Sequence, residues 1–257
     1  MDLCVTDPPY NVAYGEKVKT NASFKNKTRQ GDTIKNDNQP AEQFRAFLVA
    51  VYKNILANIK AGGAYYIWHA DTNGLVFREA LEEAGGTIRQ NLIWAKNQIV
   101  LGHSDYQWRH EPCLYGWKDG AGHYFTPDRT QTTVYQNRPE IGKMKKEELK
   151  QLVKELLEPN IPTTVINEDK PQHADLHPTM KPVILIARLV RNSSRKDEKV
   201  IDPFGGSGTT LIACEQLGRS CYTMELDPKY CDVIIERWQE YTGQTARLLQ
   251  KGETNEA

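Results

Sequence analysis

The segment Lys199-Val200-Ile201-Asp202-Pro203-Phe204-Gly205-Gly206-Ser207-Gly208-Thr209-Thr210 narrows the folds open to this chain more than any other. A short apolar run ends in an acid and a proline, passes through three glycines, and enters Leu211-Ile212-Ala213-Cys214. Residues without a Cβ let backbone lie close to a ligand, and Thr209 and Thr210 stand where a helix is capped. The turn has no lysine of the GxxxxGK[ST] type, and Leu211 removes it from GxGxxG. Further on, Ser220–Asp227 reads as a second strand with Glu225 near its end. An acid at that offset is where a doubly wound fold places its ribose-hydroxyl acceptor. The unit predicts an α/β fold and a nucleoside cofactor.

A second constraint lies at the other end of the chain. Asp7-Pro8-Pro9-Tyr10 follows the apolar run Leu3-Cys4-Val5-Thr6, so a strand is expected to open directly into a stiff loop. Each proline fixes φ and removes an N–H while keeping its carbonyl as an acceptor. The residue before a proline is driven to extended geometry. A carboxylate beside a proline carbonyl can accept both protons of an exocyclic amine, and Tyr10 supplies a ring on which a planar base can stack.

Between these ends, helical and strand periodicities alternate. Phe44, Phe47, Leu48, Val51, Ile55 and Ile59 recur at helical spacing after Gln39-Pro40, and Gly62-Gly63 ends that helix. Strands are expected at Ala64–Trp68, Arg89–Trp94 and Cys113–Trp117, with a helix over Gly74–Ala84. Asp105, Trp108 and Arg109 are expected on a loop between the last two strands. Lys181–Ser194 and Pro228–Tyr241 read as covering helices. Such alternation predicts a mostly parallel sheet with helices on both faces. From about 119 to 175 the rhythm breaks. Two extended pieces are expected over His123–Gln136, a helix over Lys145–Glu158 and a strand at Thr163–Ile166.

Together the two motifs resemble the amino-methyltransferases that use S-adenosylmethionine to methylate N6 of adenine or N4 of cytosine in DNA. Asp7-Pro8-Pro9-Tyr10 is similar to the family's catalytic motif, and Asp202 with Phe204, Gly205, Gly206, Ser207, Gly208 and Thr209 is similar to its cofactor loop. His177-Pro178-Thr179-Met180-Lys181-Pro182 resembles the segment before that loop, which implies that Thr179 and Lys181 help hold the methionine end of the cofactor. The catalytic motif precedes the cofactor loop, as in the β group of these enzymes. Trp108–Trp117 and the opening Asp7–Val12 look like those of phage and prophage modification methylases.

The resemblance implies a class I methyltransferase fold in one domain, 1–257, with a target-recognition insert at 119–175. It also implies a flipped adenine from double-stranded DNA as substrate, with Asp7 and the Pro8 carbonyl on its amine and Glu225 on the cofactor ribose. The alternatives are an N4-cytosine enzyme and an inactive DNA- or cofactor-binding remnant. Relatives usually carry a further strand before the catalytic motif, ending in a Gly-Asp, and prophage relatives often carry an upstream nuclease-like domain. Here the sequence begins at Met1-Asp2, which predicts a fragment or short-start form of a longer protein. It also predicts an open sheet edge at Ser220–Leu226 that favours a homodimer or limits solubility.

Composition restricts the setting. The 257 residues contain no run long and apolar enough for a membrane span and no basic-then-apolar leader. The five cysteines form no CxxC pair and the histidines show no metal spacing, so a reduced, cytoplasmic, metal-free enzyme is expected. Net charge is zero, 33 basic against 33 acidic residues. This disfavours indiscriminate polyanion binding, but Lys17–Lys35 is locally basic, with Asp32 its one acid, and is expected to contact phosphate.

Overall fold

The computed structural model describes residues 1–13, 37–100, 105–135, 164–168 and 180–249. Its centre is β1 (Leu3–Thr6), which lies parallel to both β2 (Ala64–Trp68) and β7 (Lys199–Asp202). Every residue of β1 and β2 is buried. Strands without a polar face need cover on both sides, and the helices supply it. Leu3, Val5, Tyr66 and Trp68 face Leu185, Leu189 and Val190 of α3 (Val183–Ser193) and Ala213 and Cys214 of α4 (Thr209–Leu217). Cys4, Tyr65 and Ile67, pointing the other way, pack with Phe44, Leu48, Tyr52 and Ile55 of α1 (Ala41–Asn58) and Phe77, Ala80 and Leu81 of α2 (Gly74–Glu83). The alternation of neighbours between opposite faces is the strand period of two.

The sheet has eight strands in the order β5-β6-β3-β4-β2-β1-β7-β8. β8 is Ser220–Thr223, parallel to β7 and at the sheet edge among the described residues. β3 (Ile88–Val100) and β4 (Trp108–Trp117) form an antiparallel hairpin, and β4 is also antiparallel to β2. All other pairings are parallel. α5 (Pro228–Thr242) follows β8, its N-terminus capped by Asp227, whose side chain accepts from Lys229 N–H. No helix among the described residues is long and apolar enough to cross a membrane.

Two expectations are corrected. Trp108 and Arg109 belong to β4, not to a loop, because the β3–β4 ladder continues past the sheet proper to pair Val100 with Trp108. The expected extended piece before Pro127 is irregular, and just after that proline Asp128 accepts from Thr130 N–H at 2.9 Å, which closes a turn. Only Val134–Tyr135 of that stretch is a strand, β5. It pairs with β6 (Thr164–Glu168), and β6 with β3, so these pieces of the 119–175 region extend the main sheet. The Lys145–Glu158 helix and the basic stretch Lys17–Lys35 lie outside the described residues.

Candidate active site

The C-terminal ends of β1, β7 and β8 lie along one edge of the sheet, where a doubly wound fold forms its ligand crevice. β1 delivers Asp7, and the loop behind it is clamped rather than free. Asn11, at φ 57°, bridges Gln39 by accepting from its N–H at 2.6 Å and donating to its carbonyl at 2.9 Å. Asn73, just before α2, donates to the Tyr10 carbonyl at 2.7 Å. Val12 N–H reaches Asp37 at 3.2 Å. A loop with two prolines and these cross-links can hold a carboxylate in a set direction.

β7 delivers the Gly-rich turn. Asp202 is 4 % exposed, and its Oδ1 accepts from Thr6 Oγ1 and from Phe204 N–H, both at 3.1 Å. The first of these bonds ties the two motif-bearing strands together at their ends. Burial outweighs the bonds that favour the anion and raises the Asp202 carboxyl to about 7. Gly206 and Gly208 both adopt left-handed φ, 53° and 78°, so the backbone here needs glycine. A Cβ on Gly205 would come within 2.6 Å of Thr223 Oγ1. That buried hydroxyl has no protein partner. Glu225, after β8, accepts from Gly206 N–H at 2.8 Å and from Asp227 N–H at 2.9 Å. The carboxylate is thereby held against the turn with further lone pairs left over. Phe204 meets Phe47 edge-on at 6.0 Å, and Ser207 is buried, with its carbonyl taking a bond from Arg237 at 2.8 Å. Open backbone, a ligand-free hydroxyl and a fixed acid suit a nucleoside-bearing group.

Of the expected site residues, Lys181 departs most from its anticipated role. Its carbonyl does join the cofactor loop, accepting from Thr209 Oγ1 at 3.3 Å. Its ammonium, however, turns to the catalytic motif, donating to Asp7 Oδ2 and lying 3.1 Å from the Tyr10 hydroxyl. Tyr10 in turn donates to Asp7 Oδ1 at 2.5 Å. Thr179 lies outside the described residues.

Two members of the site carry no signal in the motifs. Glu111, on β4, is 3.4 Å from both Lys181 Nζ and the Tyr10 hydroxyl. Lys96, on β3, pairs with its other oxygen. Burial alone would raise the Glu111 carboxyl, but the Lys181 and Lys96 ammoniums override it and hold it down to about 2. Lys181 is only 5 % exposed; burial alone would lower its pKa, but Asp7 and Glu111 override this and raise it. Burial, then the nearby carboxylates, push the Tyr10 phenol well up. The site thus holds two ammoniums against two carboxylates, with Tyr10 neutral. An acid within the largely apolar run Pro112–Trp117 and its approach was the one available clue to Glu111.

A class I methyltransferase fold is what this sheet, turn and acid define. Residues 1–236 match the DNA methylase family of N6 and N4 methyltransferases, and the chain belongs to that family. It is 25% identical over 249 residues to the type II methyltransferase M.BglII of Bacillus subtilis, which covers 92% of this chain but 63% of the relative. It is also 25% identical over 242 residues to M2.DpnII of Streptococcus pneumoniae, covering 92% and 82% respectively. Among solved structures, the M1.HpyAVI–SAM complex superposes with a TM-score of 0.60 at 20% identity, over 92% of this chain and 88% of that one. The cytosine-N4-specific PvuII DNA methyltransferase superposes with 0.61 at 14% identity, over 93% and 79%. Among the described residues no group of three ligating side chains could hold a metal.

Proposed function

We propose that the chain transfers a methyl group from S-adenosylmethionine to N6 of an adenine flipped out of double-stranded DNA. One observation carries the reading. Asp7, on its double-proline loop, and the Gly-rich turn after β7 share one sheet edge and are joined by the Thr6–Asp202 bond. An amine held at Asp7 would therefore lie beside a cofactor held at the turn. The names of the relatives, all type II methyltransferases, and the M1.HpyAVI complex with SAM support the same assignment.

Asp202, Phe204, Gly205, Gly206, Ser207, Gly208 and Thr209 would hold the cofactor with Glu225 on its ribose, and Thr179 and Lys181 would help hold its methionine end. The cofactor's sulfonium supplies an activated methyl group and a neutral leaving group, so the protein has only to position and polarise. The adenine amine is a weak nucleophile because its lone pair is delocalised into the ring. Bonds from N6–H to the Asp7 carboxylate and the Pro8 carbonyl localise that pair and stabilise the charge that grows on nitrogen. Pro9 keeps the loop rigid, and the Tyr10 ring stacks on the extrahelical base. The 119–175 region, as an insert within one 1–257 domain, reads the target sequence. We place the enzyme in the cytoplasm, where DNA and cofactor meet, and expect a homodimer.

The test incubates the chain with tritiated S-adenosylmethionine and unmethylated double-stranded DNA, then separates the nucleosides. Label in N6-methyl-2′-deoxyadenosine bears out the reading. Label in N4-methyl-2′-deoxycytidine reassigns the base, and no label leaves a binding remnant.

A further inference from the structure

Lys181 stands where a methyl acceptor should. Its ammonium, buried beside Trp68 and Tyr10, spends its donors on Asp7 Oδ2, the Tyr10 hydroxyl and, in a longer ion pair, Glu111 Oε2 at 3.4 Å. Tyr10 holds the other oxygen of Asp7. Both oxygens of the carboxylate that must accept from the incoming amine are thus already engaged by donors. The ammonium matches in charge and donor type the amine as it would be at the height of methyl transfer. A buried ammonium displaced from one carboxylate needs another anion within reach, because an unpaired buried charge is strongly destabilising. Glu111 is that anion. It lies across the ammonium from Asp7 on a different element, and Lys96 anchors its far oxygen so that it cannot follow the lysine toward Asp7. The groups facing the ammonium are Asp7 and Tyr10 after β1, Trp68 on β2, and Glu111 and Cys113 on β4.

We propose that Glu111 is a positioning residue that draws Lys181 off Asp7 when the target amine enters, so that the lysine serves as an internal stand-in for that amine. This rests on the methyl-transfer reading above. In the free protein the stand-in keeps the Asp7 carboxylate paired and oriented. With a base present, the ammonium moves fully onto Glu111, Asp7 receives N6–H, and the count of charges in the site is unchanged until the methyl group arrives. No bond is made or broken in the exchange; only hydrogen-bond partners change.

The experiment compares kcat and KM for methyl transfer to unmethylated double-stranded DNA in the wild-type chain, E111Q, E111D and the double variant E111Q/K181M, with thermal melting as a check on folding. E111Q leaves Lys181 with Asp7 as its one full counter-charge, and kcat is expected to fall about tenfold or more, with KM for the cofactor little changed. E111D recovers part of the loss. In the double variant methionine fills the lysine's volume without competing for Asp7, so kcat is expected to rise about threefold or more above E111Q. A purely structural role for Glu111 predicts the reverse, since removing a second member of the network would add damage. An active wild-type chain whose double variant is folded but no faster than E111Q overturns the exchange, as does an E111Q of wild-type kcat. A double variant that fails to fold is replaced by E111Q/K181L, whose side chain likewise cannot compete for Asp7; a folded E111Q/K181L no faster than E111Q overturns the exchange. A wild-type chain that transfers no methyl group overturns the reaction assignment itself and the exchange with it.

Discussion

Asp7 touches the amine and not the cofactor, so its loss should separate chemistry from binding. Asp7→Ala is expected to lower the rate on the order of a hundredfold or more, about 3 kcal/mol of transition-state stabilisation. Glu111 remains as a counter-ion for Lys181, so melting temperature and cofactor affinity should change little. Near-normal turnover at saturating DNA would remove Asp7 from the mechanism. Asp202 offers a test by pH. Its folded pKa of about 7 lies above the 3.8 of an ordinary aspartate, so the folded form holds the proton more tightly than the unfolded chain. That contribution to stability is complete below about 3.8 and is lost as pH rises through about 7. Asp202→Asn keeps an acceptor for Thr6 and Phe204 but cannot ionise. Its melting temperature should fall less than that of the wild type between pH 4 and 8, and the difference between the two curves should carry the Asp202 contribution, as differential scanning calorimetry would record. The motif residues were legible because each announces a backbone constraint: two fixed φ angles at Pro8 and Pro9, positive φ at Gly206 and Gly208. Glu111 and Lys96 announce no such backbone constraint. Their role comes from a cross-strand approach that no spacing encodes.

Elements were easier to read than their limits. α1 and α2 followed from apolar periodicity and glycine stops, and β1, β2 and β7 from apolar runs too short for helices. β3 and β4 outran expectation because a hairpin pairs with itself beyond the sheet, and polar residues such as Arg109 are acceptable on such a ladder. The irregular path before β5 was missed because the Asp128 side chain satisfies the backbone that a strand would have paired. The β7–α4 turn carries the element-level prediction. Gly206→Val forces a branched residue into φ near 53°, at a strain of roughly 1–2 kcal/mol, and crowds the approach to the ligand. Glu225→Ala removes the acid that holds the Gly206 amide. Both variants should weaken S-adenosylmethionine binding before they affect DNA binding. Calorimetry that finds unchanged affinity in both would put the cofactor elsewhere.

For the molecule as a whole, the edge that β8 forms among the described residues is the feature most open to a partner. Tyr222 is 45 % exposed there, with Met224 and Leu226 more so on the loop that follows. An uncovered strand edge invites pairing with a second copy. Light scattering is expected to find a dimer in the wild type and a monomer in Tyr222→Lys; a wild type that stays monomeric at high concentration refutes the pairing. Inside the sheet, β4 is the strand that runs against both its neighbours, and its direction has a price in tolerance. Because it enters at the crevice end, its first residues, not its last, reach the site. Side chains along it alternate between faces, so slipping its register by one position would present Pro112 or His110 where Glu111 now meets Lys181, whereas a slip of two would restore the face but not the acid. Insertions and deletions in the β3–β4 hairpin should therefore be felt at the reacting centre far more sharply than their distance from either motif suggests.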